Sequence, residues 1–162
     1  MPDRKKVLKA AAAMILTIAA AVWMSVPHTY LVLRHRDTGR PYARFAMGEG
    51  GQFSVEFRHS VNLSPVTDVY RIEDGEIYVE ETKYYHFGAG VQTELNEGET
   101  LTYTDDGAMV VGNIHQNRSG VTYVVGTVYD HLLTVGEGER VSLRDLCGKN
   151  APVRFTYEFQ LL

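Results

Sequence analysis

The chain has 162 residues, of which 44% are hydrophobic and 22% are charged, and these fractions suit one globular domain. The net charge is −4, yet residues 1–26 carry +3, which leaves −7 for the remainder. Such an acidic body argues against a nucleic acid partner, because binding to phosphates requires clustered Lys and Arg. Cys147 is the single cysteine, so no intramolecular disulfide can form.

Residues 1–27 are predicted to form a membrane-targeting helix. The first residues are basic, and Ala10–Val26 is uncharged and predominantly apolar. The apolar run is close to the roughly 20 residues that cross a bilayer. Ala19–Ala21 would suit cleavage of a signal peptide, but the apolar run continues beyond it. We expect an uncleaved anchor through residues 7–26, with the N-terminus in the cytoplasm and residues 28–162 outside it.

From residue 28 onward, short apolar and alternating runs are separated by turn residues. Val91–Asp106 is polar and acidic and is expected to be a solvated loop or edge. About nine strands and no long amphipathic helix predict an all-β fold, an antiparallel β-sandwich or barrel. Two hairpins are predicted, one over Phe53–Ile72 and one that pairs Ala108–His115 with Val121–Tyr129. The other predicted strands are Tyr30–Arg36, Tyr42–Met47, Ile77–Tyr85, Glu139–Leu143 and Val153–Leu161.

The hairpin over Phe53–Ile72 places polar side chains on an apolar face. If its turn spans Asn62–Pro65 and closes symmetrically, His59 lies opposite Asp68, and Tyr70 shares the face of Asp68. Two interpretations of the His59–Asp68 pair remain open: a structural pair that fixes the register, or part of a ligand-binding or catalytic site. A half-buried His59 beside Asp68 would favour its protonated form, which predicts sensitivity to pH near neutrality.

A second candidate segment is His86–Gly90, which contains Phe87, Gly88 and Gly90. Two glycines around an alanine allow a sharp turn or a close approach of the backbone to another group. The segment lacks the full spacing of a phosphate-binding loop, and no helical pattern follows it. It is therefore either a bulge or tight turn at the end of a strand, or a loop that lines a site.

The histidines and serines do not form a motif with a defined chemistry. His59, His86, His115 and His131 contain no compact pair of metal ligands, so no metal or cofactor is predicted, although ligands from separate strands remain an alternative. Ser60 adjoins His59, but neighbours on a strand point to opposite faces, which argues against a serine hydrolase. We expect a non-catalytic protein.

Taken together, these segments resemble a family of small bacterial domains of unknown function that are often encoded beside TAXI-type TRAP transporters. The resemblance covers roughly residues 30–145. The matching positions are Asp37-Thr38-Gly39, Phe53, His59-Ser60-Val61, Pro65-Val66, Asp68, Tyr70, Phe87-Gly88-Ala89-Gly90 and His131-Leu132.

The resemblance implies a membrane-anchored extracytoplasmic accessory or binding domain of a TAXI-type TRAP solute uptake system, in the bacterial inner or cytoplasmic membrane. Its partner would be the TRAP permease or solute-binding protein, and its ligand a small organic acid. The alternative is a stand-alone sensor or enzyme that binds a small molecule or a metal through His59 and Asp68. The candidate ligand-binding or partner-binding residues are His59, Ser60, Asp68, Tyr70, Phe87, Gly88, Gly90 and His131.

Overall fold

In the computed structural model of the chain, residues 4–61, 63–85 and 94–160 are described. Within these ranges a long helix, α1 (Arg4–Ser25), precedes a series of strands, and a short helix, α2 (Leu143–Cys147), comes before the last strand. The strands are β1 (Thr29–His35), β2 (Pro41–Ala46), β3 (Gln52–Arg58), β4 (Pro65–Glu73), β5 (Glu76–Tyr84), β6 (Thr100–Tyr103), β7 (Met109–Gly112), β8 (Gln116–Asn117), β9 (Thr122–Val124), β10 (Leu132–Val135), β11 (Val141–Ser142) and β12 (Pro152–Phe159).

Helix α1 contains an apolar stretch, Val7–Met24, that is long enough to cross a membrane and is not buried against the described chain. A membrane anchor and a signal sequence both have this property. At the end of the helix, the His28 ring lies 4.5 Å from the Trp23 ring and 5.8 Å from the Phe159 ring, measured between centroids. The helix therefore ends beside the last residue of β12.

The strands form two antiparallel sheets. The small sheet has the order β2-β1-β12-β9. The large sheet has the order β11-β10-β3-β4-β5-β7-β6, and β8 pairs with β5. Side chains from both sheets share one core, so the two sheets pack face to face. The predicted all-β antiparallel fold is confirmed. Of the two predicted forms it is the sandwich, with twelve strands in the described residues instead of about nine.

The contact between the sheets is built on aromatic rings. Phe53 of the large sheet stacks on Phe155 of the small sheet, with ring centroids 5.6 Å apart, and on Tyr70, with centroids 4.9 Å apart. Phe155 is fully buried, and Phe53 is 2% exposed. The period-2 alternation of β12 places Val153 beside Phe155 in this core.

The predicted hairpin of Ala108–His115 with Val121–Tyr129 is wrong. Strand β7 lies in the large sheet, whereas β9 lies in the small sheet. After a turn in which the Val121 N–H donates to the Arg118 carbonyl, the Val121 carbonyl accepts a hydrogen bond from the Phe155 N–H. The chain therefore crosses between the sheets at this point, because β12 offers the free edge with which β9 pairs.

The central hairpin forms between β3 and β4, but its register differs from the predicted one. Val55 lies opposite Asp68, and Phe53 lies opposite Tyr70. The predicted pairing of His59 with Asp68 is therefore wrong.

The cause of this difference is the length of the hairpin loop. Paired residues end at Arg58 and Pro65, so residues 59–64 form the loop, and the His59 N–H donates to the Ser64 carbonyl at 2.9 Å. The partner of Asp68 moves by four positions, from His59 to Val55. Because side chains alternate with a period of two, an even shift leaves every predicted face unchanged.

We expect Phe155→Ala to lower the free energy of unfolding by about 3–5 kcal/mol, because it removes a fully buried ring and leaves a cavity between the sheets. Phe159→Ala, on the same strand, is the matched control: Phe159 is 61% exposed, and the change should stay within about 0.5 kcal/mol. Urea unfolding of the full chain followed by circular dichroism measures both. Equal losses in the two variants would contradict a core centred on Phe155.

Candidate functional site

A polar pocket with a volume of about 380 Å³ opens between the two sheets. This volume lies in the range of small-molecule sites. Its walls come from β4 and β5 of the large sheet, from β9 of the small sheet, and from residues 114–118. The lining residues are Asp68, Tyr70, Val79, Thr82, Ile114, Gln116, Arg118, Val121, Thr122 and Tyr123.

Asp68 is the centre of the hydrogen bonds in the polar pocket. Its Oδ2 accepts from the Tyr123 hydroxyl at 2.7 Å, and its Oδ1 accepts from the Thr82 hydroxyl at 2.9 Å. The hydroxyls of Tyr70 and Tyr123 lie 2.5 Å apart. Since Tyr123 donates to Asp68, Tyr70 donates to Tyr123. A carboxylate of the large sheet is thus joined to a phenol of the small sheet.

Burial controls the ionisation of these groups. Burial raises the pKa of Asp68, although hydrogen bonds from Tyr123 and Thr82 and the charge of Arg118 oppose this shift. Burial and the nearby Asp68 charge also raise the pKa values of Tyr70 and Tyr123. Both phenols therefore keep their protons at neutral pH and act as hydrogen-bond donors.

Arg118 and Gln116 form the outer part of the polar pocket. The Arg118 Nη2 donates to Gln116 Oε1 at 2.9 Å, and the Arg118 backbone N–H donates to the Ile77 carbonyl at 2.7 Å. This backbone bond holds the segment against β5, while the Arg118 side chain is exposed at the mouth. The pocket thus presents a cation outside and hydroxyl groups inside.

A second cavity, the loop pocket, has a volume of about 450 Å³ and lies between the hairpin loop 59–64 and residues 126–131. The Arg58 guanidinium lies 5.3 Å from the centre of the Tyr129 ring and joins these two segments. The lining residues are Arg58, Ser60, Leu63, Gly126, Thr127, Val128, Tyr129 and His131.

His131 is fixed between the loop pocket and the core. Its ring stacks on Phe57, with centroids 5.4 Å apart, and meets the Tyr123 ring edge-on at 5.8 Å. Its Nδ1 accepts a hydrogen bond from the Gly126 N–H at 3.2 Å, which places the proton of the neutral ring on Nε2. Burial lowers the pKa of His131, so the ring is neutral at neutral pH.

The tight course of residues 126–129 requires glycine at its first position. A Cβ on Gly126 would lie 2.0 Å from the Tyr129 carbonyl oxygen, closer than any side-chain carbon can approach. The same segment holds His131 through the Gly126 N–H. Gly126 therefore shapes the wall of the loop pocket.

The structure divides the predicted site residues between the two pockets. Asp68 and Tyr70 line the polar pocket, and Ser60 and His131 line the loop pocket. Phe87, Gly88 and Gly90 lie outside the described residues.

His59 is placed differently from the prediction. It lies in the hairpin loop, where its Nδ1 accepts a hydrogen bond from the Val61 N–H at 3.2 Å. The proposed stabilisation of protonated His59 by Asp68 therefore loses its structural basis.

Five polar residues of the polar pocket were not predicted: Thr82, Gln116, Arg118, Thr122 and Tyr123. Tyr123 is 55 positions from the Asp68 that it contacts. No local pattern indicates such a contact, because it depends on the crossing of the chain from the large sheet to the small sheet.

Comparison with known families gives one match to this chain. The model described as a domain of unknown function (DUF1850) matches residues 53–143, which is more than half of the chain. This range includes every residue that lines the polar pocket or the loop pocket. No curated protein and no solved structure matches the chain.

We expect the free energy of unfolding of the wild type to fall relative to that of Asp68→Asn as pH rises. The fall should begin near pH 4, the usual pKa of an unfolded Asp, and end at the raised pKa of folded Asp68. In this interval the unfolded chain ionises the carboxyl in water, whereas the folded protein must ionise it in a buried site. At lower pH both states are protonated, and the difference is constant. Urea unfolding in steps between about pH 3 and pH 8 measures it.

Glu158→Gln is the control with the opposite sign. Its hydrogen bond with Arg34 lowers the pKa of Glu158 to about 2. The wild type should therefore lose stability relative to this variant as pH falls below the usual Glu pKa of about 4.3. A difference between the wild type and Asp68→Asn that is constant with pH, or that rises with pH, would contradict the buried carboxyl.

Proposed function

The chain belongs to the DUF1850 family, and we propose that it is a membrane-anchored extracytoplasmic binding domain of a bacterial solute uptake system, with no catalytic activity. The observation that carries this proposal is the polar pocket. The exposed Arg118 lies at its mouth, and the hydroxyl groups of Tyr70, Thr82 and Tyr123 lie deeper inside. Helix α1 supplies a segment long enough to hold the domain at a membrane.

The chemistry of the polar pocket suits a small organic acid. The Arg118 guanidinium is a planar donor that matches a carboxylate. Deeper in the pocket, the phenol oxygens of Tyr70 and Tyr123 suit a hydroxyl group of the same ligand, which donates to them because both phenol protons are already engaged. Burial raises the pKa of Asp68, which disfavours its negative charge, and the exposed Arg118 makes the mouth of the pocket cationic.

The same groups argue for binding without catalysis. General acid–base chemistry at neutral pH needs a group that ionises there, and covalent chemistry needs a nucleophile beside a base. The residues that line the polar pocket in the described chain include no His, Cys or Lys. Asp68 is the one lining carboxyl whose pKa is raised, and both of its oxygens already accept hydrogen bonds from Thr82 and Tyr123. Tyr70 and Tyr123 keep their protons because their pKa values are raised.

We propose further that the uptake system is of the TAXI-type TRAP class, with the permease or the solute-binding protein as the partner. Two features support this partner. The first is the resemblance carried by Asp68, Tyr70 and the other positions given above. The second is a group of exposed apolar side chains beside the loop pocket, of the kind that marks protein interaction surfaces. These are Val61, Leu63, Val128 and Tyr129, whose exposed fractions are 69%, 48%, 75% and 42%.

We expect the full chain in detergent micelles to bind a small dicarboxylic or tricarboxylic acid, and Arg118→Gln to weaken this binding by about tenfold or more. The physical reason is the loss of a charge-assisted hydrogen bond, which contributes about 1.5–3 kcal/mol. Titration calorimetry with succinate, malate and citrate measures the affinity. Arg71→Gln is the matched control, because Arg71 is exposed on β4 and does not line the pocket.

The outcomes of this titration separate the candidate roles of the pocket. Binding that is equal in the wild type and in Arg118→Gln would reject the polar pocket as the site. Absence of binding for all three acids would reject a small organic acid of this type as the ligand. Slow chemical conversion of a bound acid, followed by NMR, would reject a non-catalytic role.

We expect the TRAP permease or its solute-binding protein to be recovered with the full chain after mild crosslinking in membranes of the native host. The double variant Val61→Ser/Val128→Ser should lose most of this recovery, because it replaces exposed apolar contacts at the loop pocket. Tyr103→Ser is the control, since Tyr103 is 68% exposed but lies on β6 at the edge of the large sheet. Mass spectrometry identifies the partner, and a wild-type sample without either transporter protein would contradict the proposal.

A further inference from the structure

Glu73, Glu80 and His115 converge on the face of the large sheet that is turned away from the core. One carboxylate oxygen from each glutamate and one ring nitrogen of His115 lie within 4.8 Å of one another. The His115 Nδ1 is 2.9 Å from Glu80 Oε1 and 3.9 Å from Glu73 Oε2. These contacts are independent of the polar pocket, because none of the three residues lines it.

The backbone brings these donors together from three separate segments. Glu73 is the last residue of β4. Glu80 lies at a bulge in β5, where Val69 pairs with Glu81 and Tyr70 pairs with Val79, so that Glu80 has no partner on β4.

The third donor comes from the segment that runs along β5 before β8. The Ile114 N–H donates to the Glu80 carbonyl at 3.2 Å, and Gln116 pairs with Val79, so His115 lies beside Glu80. The His115 ring stacks on Tyr78, with centroids 4.7 Å apart. The ring is therefore supported on one face while its Nδ1 points to the carboxylates.

The charges of the cluster favour a cation. Two carboxylates face a single imidazole, and among the described residues the ion pairs of Glu73 and Glu80 are those with His115. Imidazole together with carboxylate oxygen is a donor set for divalent transition metals, above all Zn²⁺. Tetrahedral ligands at about 2.0–2.2 Å from Zn²⁺ are separated by about 3.3–3.6 Å, which lies between the 2.9 Å and 3.9 Å that separate His115 Nδ1 from the two carboxylates.

We propose that Glu73, Glu80 and His115 bind one divalent transition-metal ion, with Zn²⁺ as the best match. The ion takes one carboxylate oxygen from each glutamate and the Nδ1 of His115. Water completes its coordination, because the side chains of Glu73 and His115 are 48% and 53% exposed. The bound ion joins β4, β5 and the segment before β8, and so stabilises the segment that continues to Gln116 and Arg118.

The test uses the full chain without an affinity tag, in detergent micelles, after removal of metals with a chelator. Titration with Co²⁺, followed by visible absorption, and with Zn²⁺, followed by calorimetry, should show one ion per chain. His115→Gln and Glu80→Gln should each lose this saturable binding. Glu137→Gln is the matched control, because Glu137 is an exposed carboxylate outside the cluster, and it should bind as the wild type does.

A second measurement needs no variant. Nitrogen NMR of the wild-type histidine rings should show that Zn²⁺ shifts the Nδ1 signal of His115 and leaves its Nε2 protonated. Zn²⁺ should also raise the thermal unfolding midpoint of the wild type, since a ligand that binds the folded state stabilises it. Lack of saturable binding, retention of binding in both His115→Gln and Glu80→Gln, or an unchanged His115 Nδ1 signal would each overturn the proposal.

Discussion

A half-buried carboxylate between the two sheets is the constraint on which the arrangement of this domain depends. Asp68 lies inside the sandwich, and a carboxylate removed from water is costly unless hydrogen-bond donors replace the water. Thr82 supplies one donor from the neighbouring strand, and Tyr123 supplies the other from the opposite sheet. The second bond requires β9 to sit over β4, and this placement opens the polar pocket between the sheets. Packing of Phe53 on Phe155 stabilises the sandwich, whereas the Asp68–Tyr123 bond determines what faces the cavity.

The sequence was a good guide to which side chains share a face and a poor guide to which of them are partners. Alternation in Phe53–Ile72 placed Phe53, Val55, Asp68 and Tyr70 on the core side, as the structure has them. The register was wrong by four positions, because the loop spans residues 59–64 and turn-forming residues do not reveal which loop length closes. The backbone hydrogen bond from the His59 N–H to the Ser64 carbonyl closes the loop and so determines the register of the hairpin. Periodicity is a local property, whereas register depends on the whole loop.

The candidate site shows the same division between local and long-range information. Asp68 and Tyr70 were predicted as site residues because both are polar groups on an apolar face of one strand. Arg118 lies between the two arms of the predicted hairpin of Ala108–His115 with Val121–Tyr129, and Tyr123 lies in its second arm, but this hairpin does not form. Their roles arise when the chain leaves the large sheet after β8 and pairs with β12, a strand about 30 residues later. The sequence therefore indicates Asp68 and Tyr70 as residues of the pocket, whereas the positions of Arg118 and Tyr123 depend on the topology of the sandwich.

The topology also separates the polar pocket from helix α1. Helix α1 ends next to the pair Thr29 and Phe159, whereas β9 joins β12 at the pair Tyr123 and Val153. Six residues of extended strand separate these two pairs on β12, which is a distance of about 20 Å. The part of β9 that lines the polar pocket therefore lies far along β12 from the end of α1. The pocket and the apolar helix are thus held at separate places in the domain by one continuous strand, β12, which pairs with β1 along its length and with β9 at the pocket.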